Sequence, residues 1–518
     1  MHDVVIVGGG PAGITLALEL ANADLDVALL ESGDAEFDPD AQTLNEGEVT
    51  GNDSVDLMAS RLRFLGGTTN HWGGNCVPMD AIDFERRPLS GMSGWPFGRD
   101  ALDPFYARAH DYLDLGACDY SRGIVPGLRD RDFLLPQEPR IESVPLRLSR
   151  GPLRFGEAYG ERLETNRNIN LQLRANVVGL EVDGDDRITA VQVEGLDGTR
   201  RQVAGRIVVL ACGAVENARL LILANAAHGR SFGDGGGLLG KCFMDHPAGG
   251  AGFVYFRQLE AERAYWSGDL ESADGVPVRY LWRLSDEILR QEELVNASFY
   301  LIPFSDDDAA HQRREDARLA EEAARNMARW AVGRPDVGFE LSQEYCDFIT
   351  NLDAFASETI TQAMHGERAD RVLLRFESEE LPSRHNRITL SDQRDRLGLP
   401  QPVLHWAPGE TERDSMLRSA ALIGRMCGEH DLGRFEFEDF DQPFWGTMTS
   451  WHQLGTTRMA ASARDGVVDA DARVQGTRNL YIAGGSVMPT GGRAHPTLTI
   501  LALAIRLADH LQQEITRL

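Results

Sequence analysis

The sequence predicts an α/β fold, and three segments carry that prediction. Residues 3–33 have the pattern of an apolar strand, a glycine turn, a helix and a second apolar strand. Residues 207–219 repeat the step from an apolar strand through a glycine turn into a helix. Residues 479–486 predict a strand that rejoins the first sheet, and a helix is predicted to begin near Thr497. Strands that alternate with helices are typical of α/β proteins.

The first glycine turn has the spacing of a dinucleotide-binding site. Gly8, Gly10 and Gly13 lie between a strand at 4–7 and a helix predicted over about 11–23. Glycines there permit the tight turn and let the backbone approach a pyrophosphate at the helix N-terminus. Glu31 directly follows the second strand and lies 18 residues after Gly13, close to the roughly 20 expected for a ribose-binding acid. An acid there accepts hydrogen bonds from ribose hydroxyls and repels a 2′-phosphate. The α/β fold is therefore predicted to be Rossmann-like.

Length and charge restrict the architecture and the partners. The chain has 518 residues, more than one hydrophobic core usually holds, so two closely joined domains are expected. The formal net charge of −28 argues against nucleic acid or an anionic membrane as a partner, because either would repel the protein.

The N-terminus and the cysteines predict a cytoplasmic protein. Residues 1–3 lead directly into the first strand, without the basic and apolar regions of a signal peptide. The most apolar late stretch, residues 498–507, is shorter than the roughly 20 residues that span a bilayer, so no membrane partner is expected. The 6 cysteines lack the paired spacing of a zinc site or a disulfide framework, so no metal is expected either.

A second glycine-rich segment follows the first β–α–β unit. It runs through Gly66-Gly67-Thr68-Thr69-Asn70-His71-Trp72-Gly73-Gly74. Polar and aromatic residues interrupt its glycines, so it is not low-complexity sequence. The segment is similar to loops that wrap a planar cofactor with backbone N–H groups.

Two histidines near the C-terminus are candidates for acid–base chemistry. One occurs in Trp451-His452-Gln453-Leu454-Gly455-Thr456 and the other in Ala494-His495-Pro496-Thr497. The reference pKa of histidine is about 6.5, so a neutral imidazole is available to accept a proton near neutral pH.

These segments together resemble the glucose–methanol–choline (GMC) oxidoreductase family. The resemblance rests on the N-terminal glycine fingerprint, the 66–70 loop, the 211–213 turn, the 240–247 segment and the two histidine motifs. The form of the loop, Asn70-His71-Trp72-Gly73-Gly74, is most similar to the sugar-oxidising branch of pyranose and glycoside oxidases and fructose, sorbitol and gluconate dehydrogenases.

The resemblance implies FAD as the cofactor. It implies that the fingerprint glycines hold the pyrophosphate, that Glu31 binds the adenosine ribose and that the Val177 backbone touches the adenine. It also places the 66–74 loop along the isoalloxazine, and Gly484 and Gly485 near the phosphates and the ribityl chain. The implied cofactor-binding residues are Gly8, Gly10, Pro11, Ala12, Gly13, Glu31, Ser32, Gly66, Gly67, Thr68, Asn70, His71, Trp72, Gly73, Gly74, Val177, Ala211, Gly213, Gly484, Gly485, His495 and Thr497.

The same resemblance implies oxidation of an alcohol by hydride transfer to flavin N5. A base that takes the hydroxyl proton makes hydride loss easier, and His452 is assigned that role. His495 is assigned the second hydrogen bond to the substrate oxygen. The helix that begins near Thr497 would direct its positive N-terminal end at the reduced flavin.

His71 allows two interpretations. In pyranose oxidases, a histidine in a Thr-His-Trp segment is bonded covalently to the flavin. Here Gly73 replaces the hydroxyl residue that follows in that family. Non-covalent packing of His71 against the flavin is therefore favoured, and covalent attachment stays open.

The domain boundaries follow from the motifs. Residues 1–75, 150–250 and 446–518 are predicted to form the Rossmann-like FAD-binding domain. Residues 76–149, irregular in pattern, and 251–445 are predicted to form a discontinuous α+β substrate-binding domain. Within it, a charged helix is expected from about 307 to 332.

Several alternatives remain open at this stage. The preferred substrate is a secondary ring hydroxyl of a sugar or glycoside; choline, a sterol or an alkyl alcohol is the alternative, and a lyase with a redox-silent flavin is a further one. The electron acceptor is O₂ or a quinone, and a homo-oligomer is possible. His246 is interpreted as structural, and Glu377 and Glu379 as a solvent-facing strand edge in preference to a sugar-binding pair.

Overall fold

The computed structural model describes residues 1–52, 55–257, 263–266, 270–304, 371–437 and 448–517. The charged helix expected at about 307–332 lies outside these residues. Within them, the strands form three sheets, and helices cover the largest two.

The strands run over β1 (His2–Val7), β2 (Val27–Leu30), β3 (Glu48–Gly51), β4 (Asn75–Cys76), β5 (Ile141–Leu148), β6 (Ile169–Gln172), β7 (Asn176–Val182), β8 (Ile188–Glu194), β9 (Arg200–Leu210), β10 (Pro247–Phe256), β11 (Val278–Leu284), β12 (Ala297–Phe304), β13 (Arg371–Ser378), β14 (Arg387–Arg394), β15 (Pro400–Trp406), β16 (Gly433–Phe437), β17 (Met448–Thr449) and β18 (Leu480–Ile482). The helices run over α1 (Pro11–Asn22), α2 (Pro39–Gln42), α3 (Asp103–Leu113), α4 (Phe155–Thr165), α5 (Gly213–His228), α6 (Arg263–Trp266), α7 (Asp286–Gln291), α8 (Glu410–Glu429) and α9 (Thr497–Arg517).

A seven-stranded sheet is built from the first unit of the chain and its distant partners. Its order is β6-β2-β1-β9-β8-β7, with β18 beside β9. The strands β6, β2, β1, β9 and β18 are parallel, and β7, β8 and β9 are antiparallel. The all-apolar runs in β1 and β2 are buried because α1 and α9 pack together beside the sheet. The predicted return of the late strand to this sheet is confirmed.

An eight-stranded sheet of mainly antiparallel strands forms the second layer. Its order is β16-β10-β13-β12-β11-β5-β4, with β17 beside β10. Successive side chains point to opposite faces of a strand. One face carries Trp282, Phe299 and Phe376 into a buried cluster with Met416 and Ile423 of α8. The opposite face is turned toward the seven-stranded sheet and its helices.

Residues 76–149 are more regular than the sequence suggested. They contain several 3₁₀ turns together with α3 and β5. Helix α3 packs on α9, while β5 pairs with β11 in the eight-stranded sheet. The segment therefore joins both layers, and the domain boundaries stay a prediction. In the described part of the chain, no helix combines the length and the apolar character that crossing a bilayer requires.

The interpretation of Glu377 and Glu379 as a solvent-facing edge is wrong. Glu377 is 6% exposed and Glu379 is 0% exposed. The reason is topological, since β13 lies between β10 and β12 and has no free edge. An alternating polar pattern does not reveal that both sheet faces are covered.

A buried ion pair ties the 76–149 segment to the end of β13. Arg87 donates to Glu379, and both side chains are nearly inaccessible to solvent. The second oxygen of Glu379 accepts the backbone N–H of Asn296 at 3.2 Å. Removing one partner would leave the other charge buried without compensation.

We expect Arg87→Met to lower the free energy of unfolding by about 3–5 kcal/mol, because Glu379 would lose its counter-charge. Thermal and urea unfolding of the protein measure this loss. Arg434→Gln is the matched control: its partner Glu436 is exposed, so a change within about 0.5 kcal/mol is expected. Equal stability of the two variants would show that the buried pair is not an anchor.

Candidate active site

The N-terminal fingerprint forms a cradle between β1 and α1. Gly8 has φ +111, and a Cβ on Gly13 would lie 1.9 Å from the Gly8 carbonyl oxygen, so this close approach requires glycine. Gly10 is the N-cap of α1 and has no side-chain cap. A Cβ on Gly10 would meet no protein atom within 4 Å. Open space therefore lies against the N–H groups of the first helical turn, which Pro11 and Ala12 begin.

Glu31 supports this cradle from the end of β2. Its two carboxylate oxygens accept the backbone N–H groups of Gly9 at 2.7 Å and Gly33 at 2.8 Å. Burial raises its pKa above the ordinary value, against these hydrogen bonds. The adjacent Ser32 hydroxyl donates to the Asn176 side chain at 2.6 Å, so β7, which begins at Asn176 and includes Val177, starts beside the end of β2. The predicted ribose and adenine contacts therefore lie together.

The 66–74 loop packs over the fingerprint. Gly66 has φ +98, and Gly67 approaches Gly10. The Asn70 amide donates to the Leu65 carbonyl at 3.0 Å, and the Trp72 indole donates to the Leu153 carbonyl at 2.9 Å. Thr68 is exposed, and Gly73 and Gly74 lead into β4. Backbone and side-chain bonds thus fix the loop in place.

His71 is buried within this loop. Its ring lies 5.7 Å, centroid to centroid, from the ring of Trp451, next to His452 in the chain. Burial, and then the Arg154 guanidinium, lower the pKa of His71 to about 4. The imidazole is therefore neutral at physiological pH. Covalent or non-covalent contact with the cofactor stays a prediction.

Three further glycine positions border the same region. Gly213 begins α5 with φ +79, and Gly484 has φ +113; a Cβ on either would meet no atom within 4 Å. Ala211 donates its N–H to the Val7 carbonyl at 2.7 Å, and Gly485 packs against Leu454. Thr497 begins α9 directly after His495 and Pro496.

The residues present fit an extended dinucleotide such as FAD. A free helix N-terminus, a buried acid at the end of β2 and open space at Gly10, Gly213 and Gly484 follow the carboxyl ends of parallel strands of one sheet. The histidine-bearing segments end in the same region, because the Gly485 carbonyl accepts the Gly455 N–H at 3.2 Å.

The structure brings the two predicted catalytic histidines next to each other, with their rings inclined at 64°. The rings of His452 and His495 lie 4.9 Å apart, centroid to centroid. His452 follows β17, and His495 precedes α9. Burial, and then the neighbouring His495 and His246, hold the pKa of His452 well below its usual value. His452 is therefore a neutral imidazole near pH 7.

Hydrogen bonds determine which nitrogen of His452 is free. His246 Nε2 lies 2.9 Å from the Gly492 carbonyl oxygen, which only accepts, so this nitrogen carries the proton. Burial lowers the pKa of His246, so its ring is neutral and its Nδ1 is an acceptor. His452 Nδ1 lies 2.8 Å from that atom and must donate to it. His452 Nε2 is then unprotonated and available to a substrate.

Asp245 fixes the backbone beside this histidine pair. One of its carboxylate oxygens accepts the N–H groups of His246 at 2.7 Å and His452 at 2.8 Å. Burial raises the pKa of Asp245 to about 7 against these two bonds. Met244 and Leu454 exchange backbone hydrogen bonds next to it, so two distant segments are held in register.

His495 is held by a different set of groups. Its Nε2 lies 3.0 Å from Glu377 Oε2 and 2.9 Å from the Tyr300 hydroxyl. The Tyr300 hydroxyl donates to the same carboxylate oxygen at 2.9 Å. Although burial raises the pKa of Glu377, Arg375 and His495 hold it well below the ordinary value. Glu377 is thus a charged acceptor for His495, which leaves Nδ1 of that ring for a substrate.

Sequence reasoning missed most of this supporting set. Tyr300, Glu377 and Arg375 lie on strands whose alternation marks a face but not what the face contacts. His246, interpreted as structural, contacts the candidate base directly. His246 belongs to the 240–247 motif on which the GMC resemblance rests, and this was the sequence feature that could have indicated its place at the site.

Two family models match the chain in the parts that form this site. Residues 3–37 match an FAD binding domain model, and residues 382–504, which hold His452 and His495, match a GMC oxidoreductase model. The chain therefore carries a GMC oxidoreductase domain at 382–504 and an FAD-binding segment at 3–37. FAD is its cofactor, and the enzyme is an oxidoreductase that acts on CH–OH groups.

Relatives of this GMC oxidoreductase match it from end to end at low identity. A 2-methyl-1,2-propanediol dehydrogenase of Mycolicibacterium austroafricanum is 23% identical over 99% of this chain and 96% of the relative. The fructose dehydrogenase large subunit of Gluconobacter japonicus is 23% identical over 99% and 98%. A C-glycoside 3-oxidase of Microbacterium trichothecenolyticum is 25% identical over 99% and 97%.

The fold is shared with solved structures of oxidases. The crystal structure of pyridoxine 4-oxidase from Mesorbium loti superposes with a TM-score of 0.53, at 17% identity, over 98% of this chain and 99% of that one. The α/β fold with a Rossmann-like FAD-binding part, predicted from the sequence, is confirmed.

The open space at Gly10 provides a test of the cofactor site in this GMC oxidoreductase. We expect Gly10→Ala to leave the apoprotein's unfolding temperature unchanged, because its methyl group meets no protein atom, and to lower FAD content sharply. Thermal unfolding of the apoprotein and the FAD-to-protein ratio after reconstitution measure the two effects. Gly13→Ala is the contrast: its methyl group meets the Gly8 carbonyl, so folding itself should suffer. Full FAD loading of Gly10→Ala would place the pyrophosphate elsewhere.

Proposed function

We propose that this enzyme oxidises a secondary ring hydroxyl of a sugar or glycoside to the keto sugar, with His452 as the base. One observation carries the proposal: the rings of His452 and His495 lie 4.9 Å apart, centroid to centroid, and hydrogen bonds leave Nε2 of His452 without a proton. A substrate hydroxyl within reach of both rings has a base in His452 and a second hydrogen-bond partner in His495.

FAD, when bound, supplies the acceptor for the substrate hydride at its N5 atom. Gly8, Gly10 and Gly13 are proposed to hold its pyrophosphate, and Glu31 its ribose. The 66–74 loop is proposed to lie along the ring system. The electron acceptor that completes turnover is proposed to be O₂ or a quinone.

The proton of the substrate hydroxyl goes to His452 Nε2 in this proposal. Transfer of that proton builds negative charge on the substrate oxygen, which eases loss of the carbon-bound hydride. The His452 pKa, held low by burial, keeps the ring in its basic form well into the acid range. Its Nδ1–H bond to His246 keeps the ring oriented.

His495 is proposed to stabilise and orient the same oxygen. Its Nε2 is committed to Glu377 and Tyr300, so the ring cannot rotate without losing a charge-assisted hydrogen bond. To stabilise negative charge, Nδ1 must donate to the substrate oxygen, which the doubly protonated ring can do while Glu377 compensates its charge. The two histidines thus divide the work, one taking the proton and one fixing the oxygen.

The names of two relatives support a carbohydrate substrate: one is a fructose dehydrogenase subunit and the other a C-glycoside 3-oxidase. A non-sugar diol is the second candidate, on the similarity to the 2-methyl-1,2-propanediol dehydrogenase.

We expect the purified holoenzyme, mixed anaerobically with sugars, glycosides, diols and choline, to lose its oxidised flavin absorbance with a sugar or glycoside. His452→Ala should slow this bleaching by about 10²–10⁴-fold, the range for loss of a general base. His385→Ala is the matched control, because that histidine is exposed on the loop before β14. Bleaching only by a diol would replace the sugar proposal, and no bleaching by any alcohol would remove the redox function.

We expect His246→Leu to lower the limiting rate of flavin bleaching by about 10- to 100-fold, with little change in the half-saturating substrate concentration, because His452 loses its fixed orientation. In His246→Gln, an amide oxygen can still accept from His452, so most of the rate should return.

The acid limb of the wild-type pH–rate profile should lie below pH 6.5, because a base with a lowered pKa stays neutral there. Stopped-flow measurements of flavin bleaching across pH test both predictions. If His246→Leu changed the half-saturating substrate concentration and left the limiting rate unchanged, His246 would have only a structural role.

A further inference from the structure

Arg279 and Arg375 lie on the face of the eight-stranded sheet that is turned toward the histidines. Tyr300 and Arg375 are register partners on β12 and β13, opposite in direction to the buried Phe299 and Phe376. Arg279 on β11 is likewise opposite in direction to the buried Trp282, three residues further along the strand. Arg279, Tyr300 and Arg375 therefore project from one face of three neighbouring strands.

Arg375 connects this face to the candidate active site. Its guanidinium donates to Glu377 Oε1 at 3.0 Å and lies 5.4 Å from the centre of the Tyr300 ring. Tyr300 in turn contacts His495 Nε2 at 2.9 Å. After burial and the neighbouring histidines, Arg375 also contributes to lowering the pKa of His452.

Arg279 is different, because no carboxylate in the described part of the chain pairs with it. It is only partly exposed, on a strand in the interior of the sheet. Burial, and then the neighbouring Arg375, lower its pKa below the ordinary value. An enclosed guanidinium without an anion carries a desolvation cost that a bound anion would offset.

Among the described residues of this face, Arg279 is a positive charge that no carboxylate pairs with, whereas Arg375 pairs with Glu377. Such a guanidinium is notable in a protein whose formal net charge is −28. It would repel a quaternary ammonium such as choline.

We propose that the substrate is a sugar acid, and that Arg279, assisted by Arg375, binds its carboxylate while the reacting hydroxyl lies between His452 and His495. This deepens the proposed function and depends on it. A guanidinium forms two parallel hydrogen bonds with a carboxylate, which fixes orientation as well as charge. A monoanion balances the charge of Arg279, whereas a phosphate dianion would leave a negative charge beside Glu377.

The proposal predicts discrimination against neutral sugars. A neutral substrate leaves Arg279 desolvated and unpaired, and sites built for a polar group reject analogues that lack it. The first test compares a methyl hexopyranoside with the corresponding uronic acid as reductants of the holoenzyme flavin. We expect the acid to half-saturate at a concentration at least about 10-fold lower, which is about 1.4 kcal/mol.

Arg279→Gln should remove that advantage of the acid, and Arg279→Lys should retain part of it. Arg434→Gln, on β16 of the same sheet, is the matched control and should retain all of it, because Arg434 is exposed and pairs with Glu436. Equal half-saturation of the acid and the neutral sugar in the wild type would overturn the sugar-acid proposal while leaving the proposed oxidation intact.

A second measurement does not depend on turnover. Acetate, titrated into the oxidised wild-type holoenzyme, should perturb the flavin spectrum saturably, and Arg279→Gln should weaken this binding at least about 10-fold. Phosphate should bind less tightly than acetate at equal ionic strength; tighter phosphate binding would overturn the assignment to a carboxylate. No saturable acetate effect on the wild type would overturn the site itself, even if Arg279→Gln fails to fold. If acetate binds and no alcohol bleaches the flavin, the anion site stands and the proposed oxidation fails.

Discussion

One hydrogen bond, between Nδ1 of His246 and Nδ1 of His452, determines the chemical character of the candidate site. Two imidazoles at 2.8 Å require one donor and one acceptor, and the Gly492 carbonyl on the far side of His246 decides which is which. The proton arrangement therefore originates in a backbone carbonyl that never approaches the substrate. Because Asp245 accepts both backbone N–H groups of the pair, the geometry rests on two segments locked together and not on one loop.

Buried charged side chains lie between the eight-stranded sheet and the segment that precedes α9. Although burial raises the pKa of Asp80, Arg493 and Arg283 hold it at about 2, so the segment before α9 is tied to the eight-stranded sheet. Burial, and then Asp80 and Glu379, raise the pKa of neighbouring Asp83 to about 7. Such pairs gain little stability over apolar packing, but they demand one geometry. These ion pairs therefore help to fix the position of the segment that carries His495 relative to His452.

Local features of the fold were predictable, and long-range ones were not. The strand Val27–Leu30 and the helix from Pro11 follow from short apolar runs and a glycine turn, which act within about 20 residues. His452 and His495 also stand in local motifs. Tyr300, Arg279 and Glu377 reach the site through strand register, which depends on pairing between segments far apart in the chain. The alternation in the sequence predicts which residues share a face of a strand. That this face is buried is visible only in the structure, where the sheet is covered on both sides.

The two histidines differ because their partners differ. His452 faces another neutral imidazole, and burial together with the neighbouring His495 and His246 lowers its pKa more than Glu377 raises it. His495 contacts Glu377, a carboxylate held in its charged form, so a positive charge on that ring would be compensated. Neighbouring groups with opposed environments are how an enzyme separates a base from a stabiliser of negative charge at one pH. In this arrangement, Arg375 helps to keep Glu377 ionised and also adds to the lowering of the His452 pKa, so one guanidinium of the sheet face favours both roles.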